Sequence, residues 1–318
     1  MTRPLVSIVT PSYNQAAFLE ETLRSVLDQD YEPIEYLVVD DGSTDGSAEI
    51  VERHADRLAW WTRQENTGQV AALNRGFERA TGEYMGYLNS DDTLLPGAVS
   101  RMVAELERDP ELLLVYGDAL YTDEESRQTG YLRSREFDVV EMVRTAENHV
   151  VQPSTLWCRE AWERYGPLNE DGWYFFDFEF FVRFPPERVR RIPKPLSTYR
   201  IHSEAKSTGA AASRLARDHA RLAETFFASE RLPAAARQVA REGRSSAYLL
   251  GAEFAYEGLA MGRARRYALR GLALHPRHAA SRRWLSLSAK SLLPRQLVAR
   301  LRERRRAAYA KPPTTIVR

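Results

Sequence analysis

Two pairs of adjacent aspartates stand at the ends of apolar runs. Asp40 and Asp41 close the run IEYLVVDD, which continues as GSTDGS, and Asp91 and Asp92 close EYMGYLNSDD. In an open α/β sheet, ligands bind beyond the carboxyl ends of the strands. Acidic pairs on neighbouring strand ends repel one another unless a cation lies between them. Oxygen ligands suit Mg2+ or Mn2+, ions that bridge a few carboxylates to substrate phosphates. One such pair followed by glycine also reads as a solvated turn. Two pairs, each ending an apolar strand, favour a site.

The elements that must hold these acids are legible around them. LVSIVTPSYN is a short β-branched strand closed by Pro11 and Ser12. QAAFLEETLRSVLDQD then sets Leu19, Leu23, Val26 and Leu27 at helical spacing. IEYLVVDD is unbroken and apolar, as a strand buried on both faces should be. The opening is therefore β-α-β, with a right-handed crossover between parallel strands. LAWWTRQ reads as a third strand. GQVAALNRGFERATG reads as a helix with Val70, Leu73 and Phe77 on one side, ended by Gly82. EYMGYLNSDD is the fourth strand. Beyond it, ELLLVYGDALY and HVVQPSTLWCRE read as strands, WYFFDFEFFVRF is ambiguous, and RRIPKPLSTYRIH returns as a strand behind two prolines.

From Ser203 the character changes to Ala- and Arg-rich helix. A boundary near residues 203–210 places an α/β domain over 1–205 and a basic helical region over 206–318. AEFAYEGLAMGRARRYALRGLALHPRH resembles a single tetratricopeptide-like helix pair, too little for an array. Residues 258–318 hold sixteen Lys and Arg against one acid, Glu303, a charge of +15. With +1 overall, the rest of the chain carries −14. Such a tail invites an anionic partner. SRRWLSLSAKSLL and RQLVARLRERRRAAY mix Arg with apolar residues. Leu285, Ala289, Leu292 and Leu293 share one helical face, as do Leu297 and Leu301. That pattern points to an anionic membrane interface or to an Arg-rich solvated face packed on the α/β domain, while the absence of a nucleic-acid motif argues against nucleic acid. The one cysteine, Cys158, excludes a disulfide framework and a multi-thiolate zinc cluster. No stretch reaches the ~18–20 apolar residues of a membrane span. These features predict a cytoplasmic protein, peripheral on the inner face of the membrane where the tail engages it.

Six stretches, in order, resemble the family 2 glycosyltransferases, inverting enzymes of the GT-A fold. They are VSIVTPSYNQAAFLEETLRSVLDQ, IEYLVVDDGSTDGS, NTGQVAALNRGFERATGEYMGYLNSDDTLLPGA, VVQPSTLWCREAWERYGPLNE, FFDFEFFVRF and PLSTYRIH. The resemblance covers about residues 5–205. It implies a Rossmann-like, mostly parallel central sheet flanked by helices, with the α-helical region appended.

The resemblance also implies roles. Pro11 and Tyr13 contact the nucleotide base, with Tyr13 stacking on it. Asp41 bonds the pyrimidine N3–H, and Asp40 lies near the ribose or is structural. Ser43 and Asp45 shape the turn. Asp92 is the direct metal ligand, for Mg2+ or Mn2+, and Asp91 lies beside the donor ribose and sugar. The family often has Asp-x-Asp here; this chain has Asn89 first, which brings no charge. Asp177 is the general base that takes the acceptor's hydroxyl proton. Relatives often have Glu before it, whereas Phe176 stands here and Glu179 follows two residues later. Arg200 lies on the diphosphate, and His202 adds a metal or phosphate contact. Gln152, Trp157 and Trp173 fall where acceptor or sugar is expected, although core packing explains the tryptophans as well. The implied reaction moves a sugar from a nucleotide-diphospho-sugar, UDP-linked, to a glycan or lipid-linked acceptor in surface polysaccharide synthesis.

Two other classes compete. A nucleotidyltransferase of similar fold needs a Gly-rich, basic phosphate loop after the first strand, and TPSYNQ is neither. A non-catalytic binding or scaffold protein has no need to retain Asp91, Asp92 and Asp177.

Overall fold

The computed structural model describes residues 3–203 and 211–291. Among these, residues 3–143, 147–203 and 231–236 form one compact unit, and 144–146, 211–230 and 237–291 form a second. The expected division at 205/206 falls outside the described residues. So do Leu292, Leu293, Leu297 and Leu301 of the basic tail.

The first unit is built on β1 (Val6–Ser12), β2 (Ile34–Asp40), β3 (Trp60–Arg63), β4 (Tyr84–Tyr87), β5 (Leu114–Thr122), β6 (Gln128–Leu132), β7 (Thr155–Cys158) and β8 (Val189–Arg200). They form one sheet in the order β3-β2-β1-β4-β7-β5-β6, with β8 paired to β5. The pairs β1–β2, β1–β4, β2–β3 and β5–β8 are parallel. β7 runs antiparallel to β4 and β5, and β6 antiparallel to β5.

The helices are α1 (Ala16–Leu27), α2 (Ser47–Arg53), α3 (Gln69–Arg79), α4 (Ala98–Arg108), α5 (Val139–Thr145), α6 (Arg159–Tyr165) and α7 (Phe176–Phe181). One sheet face packs Ile8 and Val38 against Leu19 and Leu23 of α1, Ile50 of α2 and Met102 of α4. The other packs Val9 and Leu37 against Leu73 and Phe77 of α3, Ala161 of α6 and Phe180 of α7. Apolar helices on both sides of the sheet explain the unbroken run of β2. Gly76 lets α3 approach closely, because a Cβ there would meet Val9 Cγ1 at 2.4 Å.

Three segments differ from the sequence reading. The ambiguous aromatic run is helix α7, buried nearly all round. β6 is an added strand, mostly exposed, with no apolar pattern to announce it. The two prolines lie inside β8, where the pairing with β5 shifts register between Tyr116 and Ala119. Proline is tolerated there because an irregular pairing leaves positions that need no N–H.

The second unit is helical: α8 (Ala212–Glu224), α10 (Ala240–Glu257), α11 (Met261–Leu274) and α12 (Arg282–Ser291). The short α9 (Ala234–Arg237), like α5, crosses the division between units. Small residues let its helices approach, with Ala216, Ala255 and Ala264 forming a buried cluster. In α12, Leu285 is exposed and Leu287 buried. No helix of the described residues is long and apolar enough to cross a membrane.

Candidate active site

Because β2, β1 and β4 are parallel neighbours, their carboxyl ends share one sheet edge. Both aspartate pairs emerge there, on either side of β1. Ser12 is level with Asp40, and Leu88 N–H bonds the Val9 carbonyl at 3.0 Å.

The first pair divides its work. Asp41 accepts from Gly68 N at 2.8 Å, Thr67 N at 3.0 Å and Gln64 Nε2 at 2.8 Å. It therefore ties the end of β2 to the start of α3. Gly42 follows at φ +83°, where a Cβ would also lie 3.0 Å from Asn66 N. Asp40 is fully buried. Its Oδ2 accepts from Ser43 N at 3.2 Å and lies 3.3 Å from Arg63 Nε. Its Oδ1 has no hydrogen-bond partner, and neither has Ser12 Oγ. Unpaired buried polar atoms of this kind cost about 1–3 kcal/mol each. Ser43 and Asp45 shape the turn as expected: Ser43 Oγ accepts from Asn14 N, and Asp45 from Ala16 N. Pro11 is buried within β1, whereas Tyr13 is 47% exposed beyond its end.

The second pair sits in a turn clamped from two sides. Thr22 and Ser25 of α1, and Gln29 just past its end, bond the Asp92 carbonyl, the Leu94 N–H and the Leu95 carbonyl. On the other side, Thr198 N–H bonds the Thr93 carbonyl, and Arg200 N–H reaches Asp92 Oδ1 at 2.9 Å. Asp92 is buried. Burial, with Asp91 beside it, pushes its carboxyl well above the usual range, while the bonds from Arg200 and Asn89 pull the other way. A buried oxygen donor that the protein alone drives towards neutrality fits a hard divalent cation, whose charge reverses that balance.

His202 Nε2 lies 3.0 Å from Asp91 Oδ2 and its ring is buried. Among the described residues, Asp91, Asp92 and His202 do not bring three ligand atoms within 4.8 Å of one another. The Arg200 side chain is 1% exposed. Its guanidinium donates to Asp91 O, Asp123 O, Ser126 Oγ and Glu21 Oε2, and lies over the Phe18 ring. It braces the acidic turn and has little surface to offer a ligand.

Asp177 is half-buried on α7. It accepts from Phe178 N at 2.7 Å and Asn148 Nδ2 at 3.2 Å. Tyr87 closes β4. Burial raises that phenol's pKa well above its ordinary value, and the charges of Asp177 and Asp92 raise it further. Glu179 faces elsewhere and accepts from Asn169.

Gln152 joins a polar chain, accepting from Asn89 Nδ2 at 3.2 Å and donating to Tyr87 O at 2.8 Å. Gln69 Nε2 continues it to Asn89 Oδ1. Trp157 is fully buried against Phe77, Phe180 and Phe181, so the core reading of this residue prevails over sugar stacking. Trp173 is half-buried with its ring 6.3 Å from Tyr174.

The structure adds Asn148, Tyr87 and Glu21 to the residues read from sequence. Among the residues that clamp the acidic turn, Thr22, Ser25 and Gln29 had a visible signal, recurring at helical spacing along α1 and just past its end.

Solved structures of the same fold include S. aureus TarS 1-349 (TM-score 0.60, 17% identity, 90% of this chain and 87% of that one). Another is the mannosyltransferase PcManGT from Pyrobaculum calidifontis in complex with GDP-Man and Mn2+ (TM-score 0.57, 21% identity, 95% and 87%). A Bacillus subtilis protein named as a teichuronic acid biosynthesis glycosyltransferase, TuaG, is 43% identical over 93 residues, 28% of this chain and 37% of that one. The chain spans between 22% and 52% of the length of the four curated relatives it matches first. The model of the glycosyl transferase family 2 matches residues 7–170, just over half of the chain. By that match the chain belongs to glycosyl transferase family 2.

Proposed function

We propose that this chain is an inverting glycosyltransferase, moving a sugar from a UDP-linked donor to a hydroxyl of a glycan or lipid-linked acceptor. The observation that carries the reading is the sheet edge where the buried Asp92, bonded by Arg200 N–H, follows β4 while the buried Asp40 Oδ1 and Ser12 Oγ beside it have no hydrogen-bond partner.

Tyr13, exposed beyond β1, offers a stacking face to the base. The unpaired Asp40 Oδ1 and Ser12 Oγ are polar atoms that a bound nucleotide can satisfy directly or through water. Asp92 would hold Mg2+ or Mn2+, which supplies positive charge to the departing diphosphate, with Asp91 beside the donor sugar. The acceptor oxygen attacks the anomeric carbon as its proton passes to Asp177. The bond from that carbon to the diphosphate oxygen breaks on the opposite face, so the centre inverts. Asn148 orients the base, and Arg200 acts as a positioning residue that holds the acidic turn. Solved structures of this fold include complexes with UDP-GlcNAc and with GDP-Man, so both nucleotide classes occur on it. The relatives named for teichuronic acid and O-antigen biosynthesis support a surface polysaccharide as product. The basic C-terminal segment would bring the enzyme to the anionic inner leaflet, where a lipid-linked acceptor resides.

A thermal-shift screen of UDP-, GDP- and dTDP-sugars, with and without Mn2+, tests the reading. Ligand binding to the native state raises the melting temperature by mass action. A metal-dependent rise with UDP-sugars is expected; no rise with any nucleotide-sugar would defeat the proposal.

A further inference from the structure

Outside the strand-end site, the helical unit gathers a different donor set. Glu242 lies in the first turn of α10. His275 and His278 lie in the turn His-Pro-Arg-His that follows α11. Each residue offers a ligand atom within 4.8 Å of the other two, and each is half-buried. Among the described residues this is the one such set of three.

The surroundings hold the imidazoles in place. The backbone N–H of His275 bonds the Gly271 carbonyl at 3.0 Å, and the backbone N–H of His278 bonds the His275 carbonyl at 3.0 Å, fixing the turn that carries both rings. The two rings lie 4.7 Å apart at a 56° tilt, which keeps both edges near Glu242. Ser245, one turn along α10, decides the tautomer of His278. Its hydroxyl has one proton, and that proton goes to the Gly271 carbonyl at 2.7 Å, an atom that can only accept. The 2.7 Å contact between Ser245 Oγ and His278 Nδ1 therefore has Nδ1–H donating. In the neutral ring this leaves the lone pair on Nε2. A histidine with one nitrogen hydrogen-bonded and the other carrying its lone pair is prepared as a metal ligand.

We propose that Glu242, His275 and His278 bind a Zn2+ ion that staples α10 to the end of α11. Two imidazoles and one carboxylate suit a borderline cation with a fourth position for water, whereas the all-oxygen donors at the strand ends suit Mg2+ or Mn2+. Ligand atoms at Zn2+ bond lengths lie roughly 3.4 Å apart in a tetrahedron. The side chains therefore need only a modest closure. Arg144 Nε stands 3.6 Å from Glu242 Oε2, with both side chains partly exposed, a weak pair that the metal displaces. The proposal does not depend on the glycosyltransferase reading.

The test is Zn2+ titration of the untagged, chelator-treated full chain against a chromophoric competitor. One Zn2+ per chain is expected, with Kd tighter than about 1 µM. His275→Ala with His278→Ala should abolish this binding, and Ser245→Ala should weaken it by about 10-fold or more through loss of the supporting bond. Asp92→Ala and Cys158→Ser should leave it unchanged. X-ray absorption at the zinc edge of the wild-type chain identifies the ligands directly, even if a variant fails to fold. Two imidazoles in a nitrogen and oxygen shell support the site. Sulfur in the shell, a shell without imidazole, absence of stoichiometric binding, or unchanged affinity in a folded double-histidine variant would each overturn it.

Discussion

The backbone N–H of Arg200 donates to Asp92 Oδ1 at 2.9 Å, joining positions 108 residues apart. The same residue's side chain bonds the Asp91 carbonyl at 2.8 Å. The last residue of β8 thus determines where the acidic turn after β4 points. The placement of Asp92 is therefore coupled to the pairing of β8.

Asp92→Ala should lower sugar transfer by orders of magnitude, because the diphosphate leaves with its charge uncompensated. Excess EDTA should reproduce the loss in the parent chain. Initial rates with radiolabelled donor check both. Undiminished transfer under each condition would remove Asp92 from the metal site.

Asp177→Asn should reduce turnover by about 10²–10⁴-fold, the usual contribution of a general base. Nucleotide affinity, followed by calorimetry, should stay within a few-fold of the parent. Loss of UDP binding in a folded Asp177→Asn protein would mean that the residue serves the donor.

Arg200→Met separates bracing from ligand contact. It removes charge-assisted hydrogen bonds worth roughly 1.5–3 kcal/mol each. The urea midpoint should fall clearly, and transfer should fall with it. A variant of parental stability with weakened nucleotide binding would instead mark Arg200 as a diphosphate ligand.

Cys158 should resist alkylation at ordinary pH. Burial raises its thiol from 9.0 to about 11, with the Glu160 charge adding to the effect, and Sγ–H donates to the Leu112 carbonyl at 3.1 Å. A thiol pKa raised on folding stabilises the native state below pH 9. That contribution is lost as pH rises from 9 through 11. Iodoacetamide labelling of the folded chain should stay slow at pH 8 and accelerate across that interval. Rapid modification at pH 8 would contradict the burial.

The full chain should co-sediment with vesicles containing phosphatidylserine at low salt and release at high salt, since each Lys or Arg near an anionic leaflet contributes about 1 kcal/mol. A truncation after Ser291 removes eight of the sixteen Lys and Arg of residues 258–318. It should bind markedly less. Equal sedimentation of the two proteins would place the membrane contact elsewhere.

Sequence alone was enough for the features that rest on short-range physics. The unbroken run of β2 announces burial on two faces, and the spacings of Leu19, Leu23, Val70 and Phe77 announce α1 and α3. The runs of β2 and β4 end in acids, and parallel topology requires the ends to share an edge, so both aspartate pairs are legible from the chain itself. The tertiary structure decided the rest, because it depends on partners distant along the chain. Phe176, Phe178 and Phe180 alternate like a strand, yet Phe181 is buried too, and packing on two sides turns the segment into α7. Trp157 could have faced a sugar or the core, and only the layering of α3 and α7 against β7 settles it for the core. The resemblance puts Arg200 on the diphosphate, yet its guanidinium is engaged by Glu21, 179 residues away. A side chain's composition is local, but its burial and its hydrogen-bond partners are set by which strands lie side by side.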